Sequence, residues 1–156
     1  MPPAATAVEP GMTALWVLLG VLAASSAAGL WWQRRSGSLR ASSRVIAADP
    51  WTPLGVALGD RATLVQFSSA FCQPCRATRR VLLDVVGLVP GVTYTEVDAE
   101  THLDAVRELG VLRTPTTFVL DKQGHVVRRA SGQPRKADVI AAIGLAVDGE
   151  PASEVR

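Results

Sequence analysis

Phe71-Cys72-Gln73-Pro74-Cys75-Arg76 holds both cysteines of this 156-residue chain, and the hydrophobic rhythm changes across it. Before it, Ala62-Thr63-Leu64-Val65-Gln66-Phe67 is short, apolar and β-branched, the pattern of a buried strand. Ser68-Ser69-Ala70 is small and loop-like. After it, Ala77, Val81, Leu82 and Val85 recur at helical spacing, which predicts a helix over about 73–86. Cys72 then falls at or just before a helix N-terminus, and Cys75 falls in the first turn.

That placement has a chemical consequence. Unpaired N–H groups and the positive end of the helix dipole stabilise a thiolate, and Arg76, Arg79 and Arg80 add positive charge in the same turn or the next. Cys72 is expected to be the exposed nucleophile of lower pKa, with Cys75 one turn away and able to close a disulfide on it. Pro74 suits a first turn, which needs no N–H there. By itself a Cys-x-x-Cys pair is open to three readings: a redox couple, half of a zinc site, or two inert thiols. The only histidines, His102 and His125, lie apart from the pair and from each other, so the close His–His spacing of a zinc site is missing.

Charge and hydropathy divide the chain. The net charge of +2 gives no sign of a nucleic-acid partner, and all 16 Lys and Arg residues lie after residue 33. Residues 1–11 are Pro- and Ala-rich and expected to be disordered. Residues 12–32 carry no charge; as a helix they would run about 31 Å, against roughly 30 Å of bilayer hydrocarbon. Trp16 and Trp31-Trp32 stand near the two ends, where indole rings prefer the interface. We read a single transmembrane helix here. A cleavable signal peptide would want positive residues ahead of the apolar run, where Glu9 is the only charge. Arg34, Arg35, Arg40 and Arg44 follow the span, which by the positive-inside rule predicts an outside N-terminus and a cytoplasmic domain. Gly20, Ala24 and Ala28 make a small-residue stripe of the kind that packs helices together. Residues 33–60 read as a juxtamembrane linker, with Val45-Ile46 as the start of a short edge strand.

From 62 onward strands and helices alternate. Val92–Val97 alternates as a strand ended by Asp98, and His102, Leu103, Val106 and Leu109 share a helical face closed by Gly110. Thr116–Leu120 is a strand, Asp121-Lys122-Gln123-Gly124 a hairpin turn, and His125–Ala130 the return strand. Ala137, Ile140, Ala141, Ile143 and Gly144 suggest a last amphipathic helix. The sum is an α/β fold, a mixed sheet with helices on both faces, over 61–147, with 148–156 as a disordered tail.

Over about residues 60–147 this pattern resembles the thioredoxin family, here as a membrane-anchored thioredoxin-like protein of bacterial type. Leu64–Phe67 leading into Phe71-Cys72-Gln73-Pro74-Cys75 resembles the family's strand and Trp-Cys-Gly-Pro-Cys motif. Val111-Leu112-Arg113-Thr114-Pro115-Thr116 resembles the segment with the family's cis-proline, and Gly132 falls where the family has a glycine near its substrate groove. The resemblance implies a thiol–disulfide oxidoreductase with Cys72 and Cys75 catalytic and Phe71, Thr114, Pro115 and Gly132 lining the groove. Gln73, Pro74, Gln66 and Arg76 would tune the couple. It implies no metal and no organic cofactor, a disulfide-containing protein as substrate, and a thiol electron donor, either a reductase or a low-molecular-weight thiol. Two departures stand out. Gln66 replaces a buried aspartate and Tyr94 stands near the position of its lysine partner, so water is the expected base for Cys75. Two rival functions are an extracytoplasmic reductase of cytochrome-maturation type and a non-catalytic, redox-responsive adaptor.

Overall fold

The computed structural model describes residues 10–35, 39–41 and 50–148. The first unit is one helix, α1 (Pro10–Arg35). It starts two residues before the expected span and runs three beyond it. Proline is tolerated in a first helical turn, and arginines suit a helix's negative end. Thr13–Trp31 is long and apolar enough to cross a membrane.

The second unit is built on a five-stranded mixed sheet. Its strands are β1 (Arg40–Ala41), β2 (Ala62–Ser68), β3 (Val92–Asp98), β4 (Thr116–Asp121) and β5 (Val126–Ser131), in the order β1-β5-β4-β2-β3. Only β2 and β3 run parallel; the other pairings are antiparallel. The helices are α2 (Gln73–Val86), the short α3 (Leu103–Glu108) and α4 (Lys136–Asp148).

β2 reads as a continuous apolar run because it has a neighbour on each edge and protein on each face. Its residues 62–67 are all buried. Strand alternation sends Ala62 and Leu64 into a core with Leu82 and Val85 of α2 and Val139, Ala142, Ile143 and Ala146 of α4. Val65 and Phe67 go to the opposite core, with Phe118, Leu120, Leu109 and Val111. Gln66 follows the same alternation and lies on the α2 side.

Three expectations are corrected. Residues 33–60 are not a plain linker. Gln33, Arg34 and Arg35 continue α1, Arg40–Ala41 forms the edge strand, and Thr52–Leu54 is a 3-10 turn. Trp51 is only 2% exposed, packs edge-on against Phe118 with centroids 5.6 Å apart, and donates its indole N–H to Gly124 O at 2.8 Å. The prolines and glycines around it suggest a linker because they shape the turns that deliver this one side chain. Gly59 is fixed by space: a Cβ there would collide with Ala62 O and lie 2.8 Å from Gly91 O. In α4 the buried stripe is Val139, Ala142, Ile143 and Ala146, while Ile140, Ala137, Ala141 and Gly144 face out. A helix that is apolar nearly all round does not announce its inner face. His125 belongs to the turn rather than to β5. Val45-Ile46 and the tail after Asp148 lie outside the described residues.

Trp51→Ala should destabilise the domain by about 3–5 kcal/mol through lost burial and the cavity left behind. Leu112→Ala, at a side chain 94% exposed, should stay within about 0.5 kcal/mol. Denaturant midpoints of the full-length chain in detergent, followed by circular dichroism, check both.

Candidate active site

The site forms where β2 ends and α2 begins. Cys72 takes an extended conformation at the N-cap of α2, and its sulfur accepts from Cys75 N–H at 3.2 Å. A sulfur thus occupies the capping position usually filled by an oxygen, facing N–H groups that lack helical partners. Cys72 and Cys75 are joined in a disulfide with Cα atoms 5.2 Å apart. Cys75 is buried at 2% exposure, and Cys72 is partly exposed. The outward sulfur therefore belongs to Cys72.

Phe71 is 98% exposed and has φ +59. An L-residue in the left-handed region costs about 1–2 kcal/mol, and such strain collects at functional sites. Here it turns the chain sharply into Cys72. The ring stays fully in solvent, so the packing that would repay the strain is missing from the domain itself.

The Thr114–Pro115 peptide is cis, as the resemblance implies. Proline supplies no N–H, and the strand it precedes begins at Thr116. Thr114 Oγ1 lies 2.9 Å from Ser69 Oγ, tying this loop to the one ahead of Cys72. Gly132, at φ +97, donates its N–H to Pro115 O at 2.7 Å. Thr116 Oγ1 donates to Arg113 O at 2.7 Å, and Arg113 Nη2 donates to Ser131 O at 3.2 Å. Cys72, Thr114, Pro115 and Gly132 are thus joined through hydrogen bonds of their neighbours. Gln73, Pro74 and Arg76 are exposed on the first turn of α2.

Beneath Cys75 lies a polar chain. Gln66, fully buried, donates Nε2–H to Cys75 O at 3.0 Å and accepts from the Tyr94 hydroxyl at 3.1 Å. The carbonyl can only accept, so the amide nitrogen must face it. The amide oxygen then faces Tyr94, whose hydroxyl must donate. Burial pushes the Tyr94 pKa upward, the Glu96 carboxylate adds to the rise, and nearby Arg79 opposes it. Arg79 itself pairs with Glu96 at 3.4 Å. Thr78, one turn after Cys75 on α2, and Thr117 are buried, and among the described residues their hydroxyls have no hydrogen-bond partner. Thr117 stands opposite Gln66 in the ladder.

Several participants carry no sequence signal. Ser69 reads as loop filler, Thr78 is one more residue on a helix, and Arg129, described below, is one of two adjacent arginines on a strand. Among the described residues no group of three or more His, Cys, Asp or Glu is placed to hold a metal ion.

With the geometry in place, the thioredoxin family model matches residues 55–144, more than half the chain. The chain belongs to the thioredoxin family. Thioredoxin H-type 1 of Nicotiana tabacum is 30% identical over 76 residues, which cover 49% of this chain and 60% of that protein. A mutant thioredoxin from Halobacterium salinarum superposes with a TM-score of 0.51 at 17% identity, covering 56% of this chain and 76% of the other. A chloroplastic thioredoxin z gives 0.50 at 22% identity, covering 56% and 79%. At those identities the structural likeness is one of fold. The thioredoxin domain of this chain holds a closed cysteine pair at the start of α2.

Tyr94→Phe should leave the buried Gln66 oxygen unsatisfied and cost about 1–2 kcal/mol in denaturant stability. The phenolate is disfavoured in the fold. Tyr94's contribution is therefore complete below pH about 10, the unfolded value, and is lost as pH rises from there toward the higher folded value. Tyr94 is the only tyrosine, so phenolate absorbance should rise later than in the denatured chain.

Proposed function

We propose that this thioredoxin-family protein is a membrane-tethered thiol–disulfide oxidoreductase that reduces protein disulfides. The observation that carries the reading is the Cys72–Cys75 bridge at the start of α2, with one sulfur outward and one buried.

In the reduced enzyme the Cys72 thiolate attacks one sulfur of the substrate disulfide. That S–S bond breaks, one substrate thiolate leaves and takes a proton, and a Cys72–substrate disulfide forms. Cys75 then gives up its proton and attacks Cys72. The bridge seen here closes, and the second substrate thiol departs. Two electrons and two protons pass to the substrate, and a thiol donor returns them to the enzyme. The N–H groups at the N-cap stabilise Cys72 both as attacking thiolate and as leaving group. Phe71, Thr114, Pro115 and Gly132 form the groove, where an extended substrate segment pairs with the Thr114 backbone in the manner of strand addition.

Neither member of the polar chain serves as base for Cys75. The Gln66 amide takes no proton near neutral pH, and Tyr94 keeps its own. Water receives the Cys75 proton. The helix Thr13–Trp31 supports the tether, and the arginines that follow it support a cytoplasmic domain, where net reduction is the direction in keeping with the compartment.

Cys72→Ser should abolish turnover of an insulin-type disulfide substrate. Cys75→Ser should lose at least about 100-fold and accumulate a covalent Cys72–substrate adduct, because nothing intramolecular remains to resolve it. Turnover that survives in either variant, or the lack of any adduct, would count against catalysis and leave the adaptor reading. On intact cells, a membrane-impermeant thiol reagent should fail to label Cys72 after reduction; labelling would move the domain outside and favour the extracytoplasmic reductase.

A further inference from the structure

The loop from Leu109 to Pro115 carries the cis peptide, and its two ends are held by one strand. At the far end Gly132, which follows β5, bonds Pro115 O. At the near end Arg129 of β5 reaches across with both arms of its guanidinium. Nη1 donates to Leu109 O at 2.8 Å and Nη2 to Gly110 O at 2.6 Å. These carbonyls close α3, where helical N–H partners run out and a cation is favoured.

The guanidinium plane is itself seated. It lies over the Phe118 ring at 5.0 Å, and Phe118 packs edge-on against Phe67 with centroids 5.8 Å apart. Phe67 is the buried residue that leads β2 toward Ser69 and Cys72. One side chain therefore connects the strand that delivers the nucleophile to the loop that faces it. A planar two-armed donor stacked on an aromatic face suits this task; a lysine has a single point of charge.

We propose that Arg129 is a positioning residue for substrate: it fixes the Leu109–Pro115 loop at the height at which the Thr114 backbone can pair with a substrate strand. Residues 129 and 132 grip the two loop ends, and three residues of extended strand set those grips about 10 Å apart. Between them Leu112 and Arg113 are exposed; Val111 N–H to Val106 O, Arg113 Nη2 to Ser131 O and Thr114 Oγ1 to Ser69 Oγ tie the middle of the loop, and Arg129 sets the height of its near end. The guanidinium of Arg129 acts on the loop carbonyls and the Phe118 ring. Its effect belongs to binding of a chain that needs strand pairing, and not to the thiol chemistry. The functional half of this proposal rests on the oxidoreductase reading above.

The test compares full-length wild type, Arg129→Met and Arg129→Lys in detergent, with two readouts. In amide hydrogen exchange of the oxidised protein, Gly110 and Val111, whose N–H groups bond to Arg107 O and Val106 O, should exchange at least about tenfold faster in Arg129→Met, with β2 and α2 within about twofold of wild type. In kinetics, KM for a protein disulfide should rise about tenfold while kcat, and the rate with a small aromatic disulfide, stay within about twofold. Arg129→Lys should fall between, with KM up about threefold. Unchanged loop exchange, an unchanged KM, or a small-disulfide rate that falls in step with the protein rate each overturns the proposal. If Arg129→Met does not fold, Arg129→Lys decides alone, and wild-type exchange and KM in it overturn the proposal. A wild type that reduces neither substrate removes the oxidoreductase reading, while hydrogen exchange still decides whether Arg129 holds the loop.

Discussion

The first N–H groups of α2 have no partners inside the helix, and a sulfur sits over them. This capping contact, Cys75 N–H to Cys72 Sγ, is the constraint around which the domain is arranged. It needs a helix that starts abruptly, a chain that turns into it sharply, and a first turn held at fixed depth. Phe71 supplies the turn through its left-handed backbone, and Pro74 tolerates the start. Gln66 sets the depth through the Cys75 carbonyl. The two hydrophobic cores hold β2 from both sides, so that the residue ending the strand and the residue opening the helix stay in register.

The buried chain of Gln66 and Tyr94 shows how polarity is accommodated under that first turn. A neutral amide bridges a carbonyl and a phenol with each partner satisfied in the only sense the donors and acceptors allow. It carries no charge that must be desolvated and no proton that can be lost near neutral pH. The arrangement fixes geometry under the buried cysteine and contributes no acid or base. The buried Thr78 and Thr117 hydroxyls, without a hydrogen-bond partner among the described residues, show that the polarity of this region extends beyond the two residues that use it fully.

The legible parts of the fold were those in which one residue's neighbours in sequence are also its neighbours in space. β2, α2 and the β4–β5 hairpin followed from apolar periodicity and turn chemistry, and the cysteines from their spacing. The stretch 50–58 did not, because its meaning lies in Trp51 crossing to Gly124 and Phe118, contacts with no trace in the local pattern. The inner face of α4 was hidden by the abundance of apolar residues on its other sides. At the site, the cysteines and the proline carry motifs, whereas Ser69, Arg129 and the direction of the Gln66 amide appear only when distant strands come together. Chemistry was readable; the supports for it were not.

Trp51 has one more consequence. Within residues 50–148 it is the single tryptophan, it is sealed in the core that includes Phe118 and Leu120, and the residue preceding the disulfide is a phenylalanine. The domain therefore has no indole beside its sulfurs for the bridge to quench. Its intrinsic emission is a gauge of whether the core is intact and is blind to the oxidation state of the bridge, which must be followed by a signal that originates at the thiols themselves.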